Sequence, residues 1–416
     1  MQSILAIPEL MDAPNPCEAS KVLMREVASV PLLTRIIATA VRADVDSVLV
    51  IWPEDLDDSI LASVARAPEI KNVRIDKVAW PGPFDPRNMA HWEALAPHVH
   101  EEFLWLPWNW VTHKRALSEL ATMAVLPVSW QRPARLDKSA LLRGARFRIT
   151  SLPKTQGVSV TTAASVRLAE RFLAANSGKP TDGIYSNFNR ALCRPSVRIL
   201  SRTRVTPNGL TLVGLAVALA GAVFFAQGSY ASAVIGALLF FVSGLFDEMD
   251  GMIARIKFKE SAFGTWFEGF VDNVTYLAVF VGIMIGLYHR HGNWALKYGI
   301  ALIGGSILSV AAIALQRKAA TSRDKPHEYA AKMNRLMDAD SANLVSKVVR
   351  QIHIFVKKGV LVHYLLLFTV LGGLPVFLWL AALGSNLTWI IALYFTYRFF
   401  RRTAVSASAP KIQPAA

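Results

Sequence analysis

Four carboxylates stand at helical spacing across the end of one apolar segment and the start of the next, in FVSGLFDEMDGMIARIKFKESAFGTWFEGFVDNVTYLAVF. Asp247 and Asp250 are three residues apart, and Glu268 and Asp272 are four apart, so each pair shares one face of a helix. A helical hairpin that turns through Ile256–Phe263 would bring the two faces together. Carboxylates that converge in this way need bound cations, and a set of oxygen ligands favours Mg²⁺, Mn²⁺ or Ca²⁺.

Two further residues of this stretch are suited to a phosphate group. Gly251 removes a side chain where a ligand or a facing helix must come close. Arg255, one helical turn further on, offers a guanidinium group for phosphate oxygens. A single acid here could simply face the lipid headgroups, but ionisable residues grouped at the ends of apolar spans indicate function.

These residues resemble the signature of the CDP-alcohol phosphatidyltransferases, which is D-x2-D-G-x2-A-R, about eight residues, and then G-x3-D-x3-D. The matching positions here are Asp247, Asp250, Gly251, Ala254, Arg255, Gly264, Glu268 and Asp272. The sequence TPNGLT at 206–211 is similar to the family's lead-in to its first span. Glu268 departs from the pattern, because the family usually has Asp there, and the longer side chain shifts the carboxylate by more than about an ångström.

The resemblance implies a reaction and a role for each matching residue. Asp272 would be the general base. One or two divalent ions, Mg²⁺ or Mn²⁺, would be held against the pyrophosphate of a CDP-linked donor by Asp247, Asp250, Glu268 and Asp272. Contacts with the CDP moiety would come from Gly251, Ala254, Arg255, Gly264 and Thr211. The enzyme would move a phosphatidyl or other phospho-alcohol group to an acceptor hydroxyl and release CMP, as in phospholipid biosynthesis.

The identity of the two substrates stays open. The family resemblance, together with the position of the acids at a membrane edge, favours CDP-diacylglycerol as the CDP-alcohol donor. No motif distinguishes inositol phosphate, glycerol phosphate, serine or another polar alcohol as acceptor. A variant of the same class would use a water-soluble CDP-polyol. Two alternatives come from other classes. One is an ion channel or carrier, and the other is a catalytically inactive membrane scaffold in which Glu268 marks the loss of activity.

The composition places part of the chain in lipid. Of its 416 residues 53% are hydrophobic, and the mean hydropathy is +0.34, more than a soluble core requires. The formal net charge of +15 suits anionic phosphates or a membrane surface better than nucleic acid, since no nucleic-acid motif is present. Cys17 and Cys193 are far apart, which excludes a disulfide scaffold and predicts free thiols.

The second half of the chain predicts a helical membrane domain of about six spans. Most of its apolar stretches approach the roughly 20 residues that cross a bilayer as a helix: 207–227, 230–247, 264–287, 295–315, 359–373 and 375–399. The fifth is short and runs into the sixth. The basic segments between the spans predict cytoplasmic termini, and we expect a multi-pass protein of a bacterial or archaeal cytoplasmic membrane. The resemblance also allows a homodimer.

Residues 182–206 predict an amphipathic helix between the two halves. A basic face recurs every four residues at Arg190, Arg194, Arg198 and Arg202. Such a helix lies in the headgroup region, where it would act as an anchor or line the substrate entrance. Pro195 would kink this helix or begin its main part.

Residues 1–178 predict a soluble α/β domain with a Rossmann-like, largely parallel sheet. Strand patterns at Ser3–Ile7, Ser47–Trp52, Val73–Trp80 and Phe103–Leu106 alternate with helical ones such as Pro31–Ala43. The domain resembles the cytidylyltransferase that archaeal bifunctional inositol-phosphate enzymes carry.

This soluble domain is interpreted as a degenerate, inactive nucleotidyltransferase relative. No glycine precedes Gly82, so the backbone loop that cradles a triphosphate is missing. We therefore expect residues from about 182 onward to suffice for the transfer. They comprise the interfacial helix, the membrane domain 207–402 and a disordered tail 403–416. Scaffold, regulatory and acceptor-delivery roles stay open for residues 1–178.

Overall fold

The computed structural model describes residues 1–7, 16–70, 73–122, 130–142, 156–179, 183–320, 328–340, 343–347, 349 and 358–401. The predicted tail 403–416 lies outside the described residues. The chain divides into two compact units. The first comprises Met1–Pro180, Arg190–Pro207 and Gly251–Ser261; the second comprises Thr181–Asn189, Asn208–Asp250 and Ala262–Ala416.

The first 180 residues alternate strands and helices. In chain order the described strands and α-helices are β1 (Gln2–Ala6), α1 (Pro16–Leu23), β2 (Glu26–Val27), β3 (Val30–Pro31), α2 (Leu32–Val41), β4 (Ser47–Pro53), α3 (Asp58–Ala65), β5 (Arg74–Trp80), α4 (Met89–Leu95), β6 (Glu102–Pro107), β7 (Trp110–Thr112), α5 (Lys114–Thr122), β8 (Ala134–Asp137), α6 (Lys138–Leu142), β9 (Gly157–Ser159) and α7 (Ala163–Ala175).

The main sheet has five strands in the order β5-β4-β1-β6-β8. The first four are parallel, with Ile4 opposite Leu49 on one side and Trp105 on the other, and β8 runs antiparallel to β6. All residues of β4 are buried, as expected for a parallel strand covered on both faces. The predicted α/β architecture with a largely parallel sheet is therefore confirmed.

Aromatic side chains fill one side of this sheet. The Trp92 ring packs edge-on against Phe84 and Trp105, at centroid distances of 5.1 and 5.8 Å, in a buried cluster with Phe103 and Leu136. Edge-to-face aromatic pairs stabilise a core beyond the area they bury. The domain thus has a core of its own.

The remaining helices begin with α8 (Ile184–Ser201), α9 (Pro207–Ala226), α10 (Tyr230–Ile256), α11 (Ala262–His291) and α12 (Asn293–Ala320). They continue with α13 (Glu328–Ala339), α14 (Lys358–Val370) and α15 (Leu374–Thr396). A buried apolar cluster that includes Ala222, Phe240, Ile283, Leu302 and Leu378 joins the long helices of the second unit. The predicted polytopic helical domain is confirmed.

In the described part of the chain five helices are long and apolar enough to cross a membrane. They correspond to the first four predicted spans and the last. The predicted span 359–373 is the helix α14, whose 13 described residues rise about 20 Å, less than the roughly 30 Å of a hydrocarbon core. It is followed by Gly372, where φ is +72°, and α15 begins two residues later. The count of six is thus reduced to five long spans and one shorter apolar helix.

The helix α9 crosses α11 at very short range. A Cβ atom on Gly282 would lie less than 3.0 Å from the Ala222 carbonyl oxygen, and one on Gly286 would lie equally close to that of Phe225. Small residues permit such close backbone packing in membranes. Any larger side chain at Gly282 or Gly286 would push the two helices apart.

The helix α8 lies within residues 182–206, where the sequence predicted an amphipathic helix, but the four arginines do not form one basic face on it. Arg190 is buried. Arg202 lies beyond the helix end and makes an ion pair with the buried Glu170 in the first unit, which raises the pKa of Arg202. Pro195 lies inside a continuous helix. The strongly exposed apolar side chains Ile184, Phe188, Leu192 and Ile199 are suited to a lipid interface.

Candidate active site

Two consecutive helices carry the four predicted acids. Asp247 and Asp250 lie near the C-terminal end of α10, and Glu268 and Asp272 lie within about the first three turns of α11. The two helices are joined by the short segment 257–261. The predicted helical hairpin is therefore present, and its turn falls where the sequence indicated.

Three of the four acids converge. Carboxylate oxygens of Asp247, Asp250 and Glu268 all lie within 4.8 Å of one another, and Asp250 is only 2% exposed. At an effective dielectric constant of about 20, two unit charges at 4.8 Å repel each other by about 3.5 kcal/mol. Glu268 joins the two aspartates despite its departure from the family pattern.

Thr211 reaches this cluster from α9. Its hydroxyl group donates a hydrogen bond of 2.5 Å to Oδ2 of Asp250, and both residues are buried. The resemblance implied that Thr211 contacts the CDP moiety, and in the structure its hydroxyl group binds one carboxylate of the cluster.

Asp272 is outside the three-residue group but lines a cavity together with Asp247. The cavity has a volume of about 70 Å³. Its other polar lining residues are Asn189, Thr211, Ser243, Glu248, Thr275 and Tyr276. A polar cavity beside carboxylates in a pair of apolar helices is suited to a polar or charged substrate group.

Two polar pairs close to this cavity were missed in the sequence. Ser186 donates to Glu248 at 2.6 Å, and Nε2 of His363 lies 3.1 Å from Oδ1 of Asn189. His363 is the only histidine in the fifth apolar stretch, 359–373. An isolated residue of this type in such a stretch is a signal for a functional position, so the sequence did contain a clue to the second pair.

The other signature residues lie at the two ends of the hairpin turn. Gly251 and Ala254 continue α10, and Gly264 is in the first turn of α11. Nε of Arg255 donates to the Ser177 carbonyl oxygen within the first unit. A Cβ atom on Gly251 would lie 3.2 Å from Nη1 of Arg255, so this glycine leaves room for the arginine of its own helix.

Comparison with known proteins identifies the helical part. Residues 204–380 match the family model described as CDP-alcohol phosphatidyltransferase. These residues form a CDP-alcohol phosphatidyltransferase domain. The match contains all eight signature positions, and it agrees with the resemblance drawn from the sequence.

Curated relatives belong to bacteria and archaea. A protein of Aquifex aeolicus named "Bifunctional IPC transferase and DIPP synthase" is 23% identical over 269 residues, which cover 64% of this chain and 56% of the relative. The "Inner membrane protein YnjF" of Escherichia coli is 31% identical over 132 residues, 31% of this chain and 62% of the relative. The chain thus spans less than two thirds of the length of either.

A third relative matches a shorter part of the chain. The "Archaetidylinositol phosphate synthase" of Methanothermobacter thermautotrophicus is 33% identical over 98 residues, which cover 22% of this chain and 49% of the relative. The Aquifex match is too long to fit between residue 204 and the last residue of the chain, so it includes part of the first half as well.

Proposed function

We propose that the protein is an integral-membrane phosphotransferase that moves a phosphatidyl or other phospho-alcohol group from a CDP-alcohol to an acceptor hydroxyl, with release of CMP. The observation that carries this proposal is the convergence of three carboxylates within 4.8 Å of one another, inside a segment that matches the CDP-alcohol phosphatidyltransferase model.

The donor set fits one or two divalent metal ions. Asp247, Asp250 and Glu268 supply only carboxylate oxygens, which Mg²⁺ and Mn²⁺ prefer, and their mutual repulsion would be relieved by a cation. Asp272 lines the same cavity as Asp247 and could complete the set. Such an ion would supply positive charge against the pyrophosphate of the donor and the departing CMP.

The chain's own residues would accept the proton of the acceptor hydroxyl and orient the carboxylates of the site. Asp272 would accept the proton of the acceptor hydroxyl as general base. The acceptor oxygen then forms a bond to the phosphorus that carries the alcohol, and the bond from this phosphorus to the CMP oxygen breaks. CMP leaves with the electron pair of that bond. Thr211 holds Asp250 in place through its hydrogen bond.

The names of the relatives support a lipid-linked donor. Two relatives are archaetidylinositol phosphate synthases by name, at 33% and 27% identity. We therefore propose CDP-diacylglycerol or a similar lipid-linked CDP-alcohol as donor and an inositol-phosphate-like polar alcohol as acceptor. Transfer from a water-soluble CDP-polyol is the second candidate, because the Aquifex relative, named as a bifunctional enzyme, also matches part of the first half.

The proposal includes an orientation in the membrane. The basic residues flanking the spans favour cytoplasmic termini in a bacterial or archaeal cytoplasmic membrane. The active-site acids at the end of α10 would then face the cytoplasm, where CDP-linked substrates are available.

The test is metal-dependent CMP release by the full chain purified in detergent. CDP-diacylglycerol and a panel of polar alcohols, including inositol phosphate, would be supplied with Mg²⁺ or Mn²⁺, and the lipid products identified by mass spectrometry. A channel, a carrier or an inactive scaffold would release no CMP.

The decisive variants remove single charges. We expect Asp247→Asn, Asp250→Asn and Asp272→Asn each to lower turnover at least 100-fold, an order of magnitude taken from the loss of a general base or a metal ligand. Asp76→Asn makes the same change on the partly exposed strand β5, where Asp76 pairs with Arg74, and should leave turnover unchanged. Retention of more than about a tenth of the turnover by Asp250→Asn would refute the proposed metal site.

A further inference from the structure

The turn between the two acid-bearing helices has an unusual backbone. The helix α10 ends at Ile256 and α11 begins at Ala262. Between them Phe258 has a φ of +57°, a left-handed conformation that bulky side chains rarely adopt. Such a conformation persists only where surrounding contacts hold it. The turn therefore depends on its neighbours.

One neighbour is Arg35 on the helix α2 of the α/β domain. Its side chain is 1% exposed, and Nη1 donates a 2.9 Å hydrogen bond to the Ile256 carbonyl oxygen. Its other nitrogens donate to the Val27 carbonyl oxygen at 3.2 and 2.7 Å. Burial lowers the pKa of Arg35 to about 9, so the group is still protonated at neutral pH. A cation is favourable at the C-terminal end of α10, where helix carbonyls lack partners within the helix.

A second neighbour is Arg42, which directly follows the same helix. Its Nη2 donates to the Phe258 carbonyl oxygen at 2.9 Å, and its Nε lies 3.9 Å from the Glu260 carboxylate. The guanidinium groups of Arg35 and Arg42 lie 5.1 and 4.6 Å from the centroid of the Phe258 ring. Arg42 thus binds the backbone of the turn, Arg35 binds the last carbonyl group of α10, and both guanidinium groups lie against the Phe258 ring.

Lys257 ties the turn to the segment that leads into the first span. This residue is 2% exposed. Its Nζ donates to the carbonyl oxygens of Thr203 at 2.5 Å and Val205 at 3.0 Å, with Leu200 at 3.4 Å. All these residues belong to the same compact unit as the α/β domain. The lead-in to α9 and the hairpin turn are therefore joined within that unit.

We propose that the α/β domain is a positioning element for the transfer reaction, in which Arg35 and Arg42 hold the turn Lys257–Glu260 in one conformation. This inference rests on the proposed function. A fixed turn sets the placement of the α10 acids relative to those on α11, and a displacement of about 1 Å at such a site can cost about 100-fold in rate. The proposal predicts that residues from about 182 onward do not suffice for full activity, contrary to the expectation from the sequence.

The experiment compares variants of the full chain in detergent. Arg42→Gln removes the contacts of one arginine with the turn, and Phe258→Ala removes the ring without touching the α/β core. Arg66→Gln is the matched control, because Arg66 is exposed at the end of α3 and donates a local hydrogen bond, to the Ala62 carbonyl oxygen. Arg42→Lys keeps the charge but not the planar group.

Two readouts are needed. Hydrogen exchange by mass spectrometry of peptides covering 255–263 reports whether the turn is held, with a β4 peptide as internal reference. CMP release reports kcat and KM for the donor. We expect exchange in the turn to rise about tenfold in Arg42→Gln and Phe258→Ala, and kcat to fall at least tenfold with KM within threefold, with Arg42→Lys intermediate.

Two results would overturn the inference. The first is unchanged exchange at the turn in both variants, which would mean that the α/β domain does not hold it. The second is faster exchange with kcat within threefold of Arg66→Gln, which would mean that holding the turn does not position the acids. An inactive wild-type chain would instead refute the proposed function, and the exchange readout would still decide whether the domain holds the turn.

Discussion

Replacement of Thr211 by Val tests the geometry of the acid cluster without removing a charge. Valine has nearly the shape of threonine but lacks the hydroxyl group that donates to Oδ2 of Asp250 at 2.5 Å. Both residues are buried, with exposed fractions of 7% and 2%, so the hydrogen bond is shielded from bulk solvent. The variant isolates one hydrogen bond to one carboxylate.

The expected magnitude follows from that environment. A buried hydrogen bond to a charged group contributes about 1.5–3 kcal/mol, which corresponds to about a 10- to 150-fold change in an equilibrium or rate constant. Replacement of a residue that orients a metal ligand typically lowers metal affinity by about 10- to 100-fold. We therefore expect Thr211→Val to raise the Mg²⁺ concentration for half-maximal CMP release at least tenfold.

The assay is a titration of CMP release with Mg²⁺ at saturating donor, carried out on the full chain in detergent. Thr211→Ser, which retains the hydroxyl group, is the matched control and should remain within about threefold of the wild type. If Thr211→Val folds normally and its Mg²⁺ dependence equals that of Thr211→Ser, the hydrogen bond does not orient Asp250 and the reasoning fails.

Substitutions at Glu268, His113 and Gly286 give three independent tests. Glu268→Asp should retain substantial CMP release while Glu268→Gln loses most of it, since charge matters more than length there; equal activity of the amide variant would make Glu268 a bystander. Burial, with smaller effects of nearby cations, lowers the pKa of His113 from 6.5 to about 4. Because the folded state favours the neutral ring, the free energy of unfolding should decrease as the pH falls from 6.5 towards 4. Tryptophan fluorescence should show a smaller acid-induced loss in His113→Asn; an identical loss would contradict this. Gly286→Ala should lower the thermal midpoint in detergent, because its Cβ would clash with the Phe225 carbonyl oxygen, whereas Gly304→Ala, with open space around it, should not.

The local pattern of apolar and polar residues was sufficient to predict most strands and helices of the fold. The run SVLVIW predicted a strand at Ser47–Trp52, and the structure has one at Ser47–Pro53, because an apolar β-branched segment buried on both faces has few alternatives. The helical pattern at Pro31–Ala43 predicted a helix, and the structure has one at Leu32–Val41. Spacing alone also placed the two pairs of acids on two helices.

Contacts between distant residues could not be predicted in the same way. The hydrogen bond from Thr211 to Asp250 joins residues 39 apart, and the bond from Arg35 to Ile256 joins residues 221 apart. Periodicity identifies the face of a helix that is buried, but it does not identify the partner. For the same reason the regular spacing of the arginines between 190 and 202 suggested one basic face, whereas Arg202 lies beyond the helix and pairs with Glu170.

The contacts of Arg35 and Arg42 with the hairpin turn also bear on the order of synthesis. The α/β domain precedes the turn in the chain, and domains generally fold as units, N-terminal first, while the rest of the polypeptide is still being made. The arginine-bearing helix can thus be folded before Phe258 leaves the ribosome. We expect the α/β domain to be folded before the second and third spans are synthesised. The turn of the acid-bearing hairpin would then adopt its conformation while the hairpin is inserted.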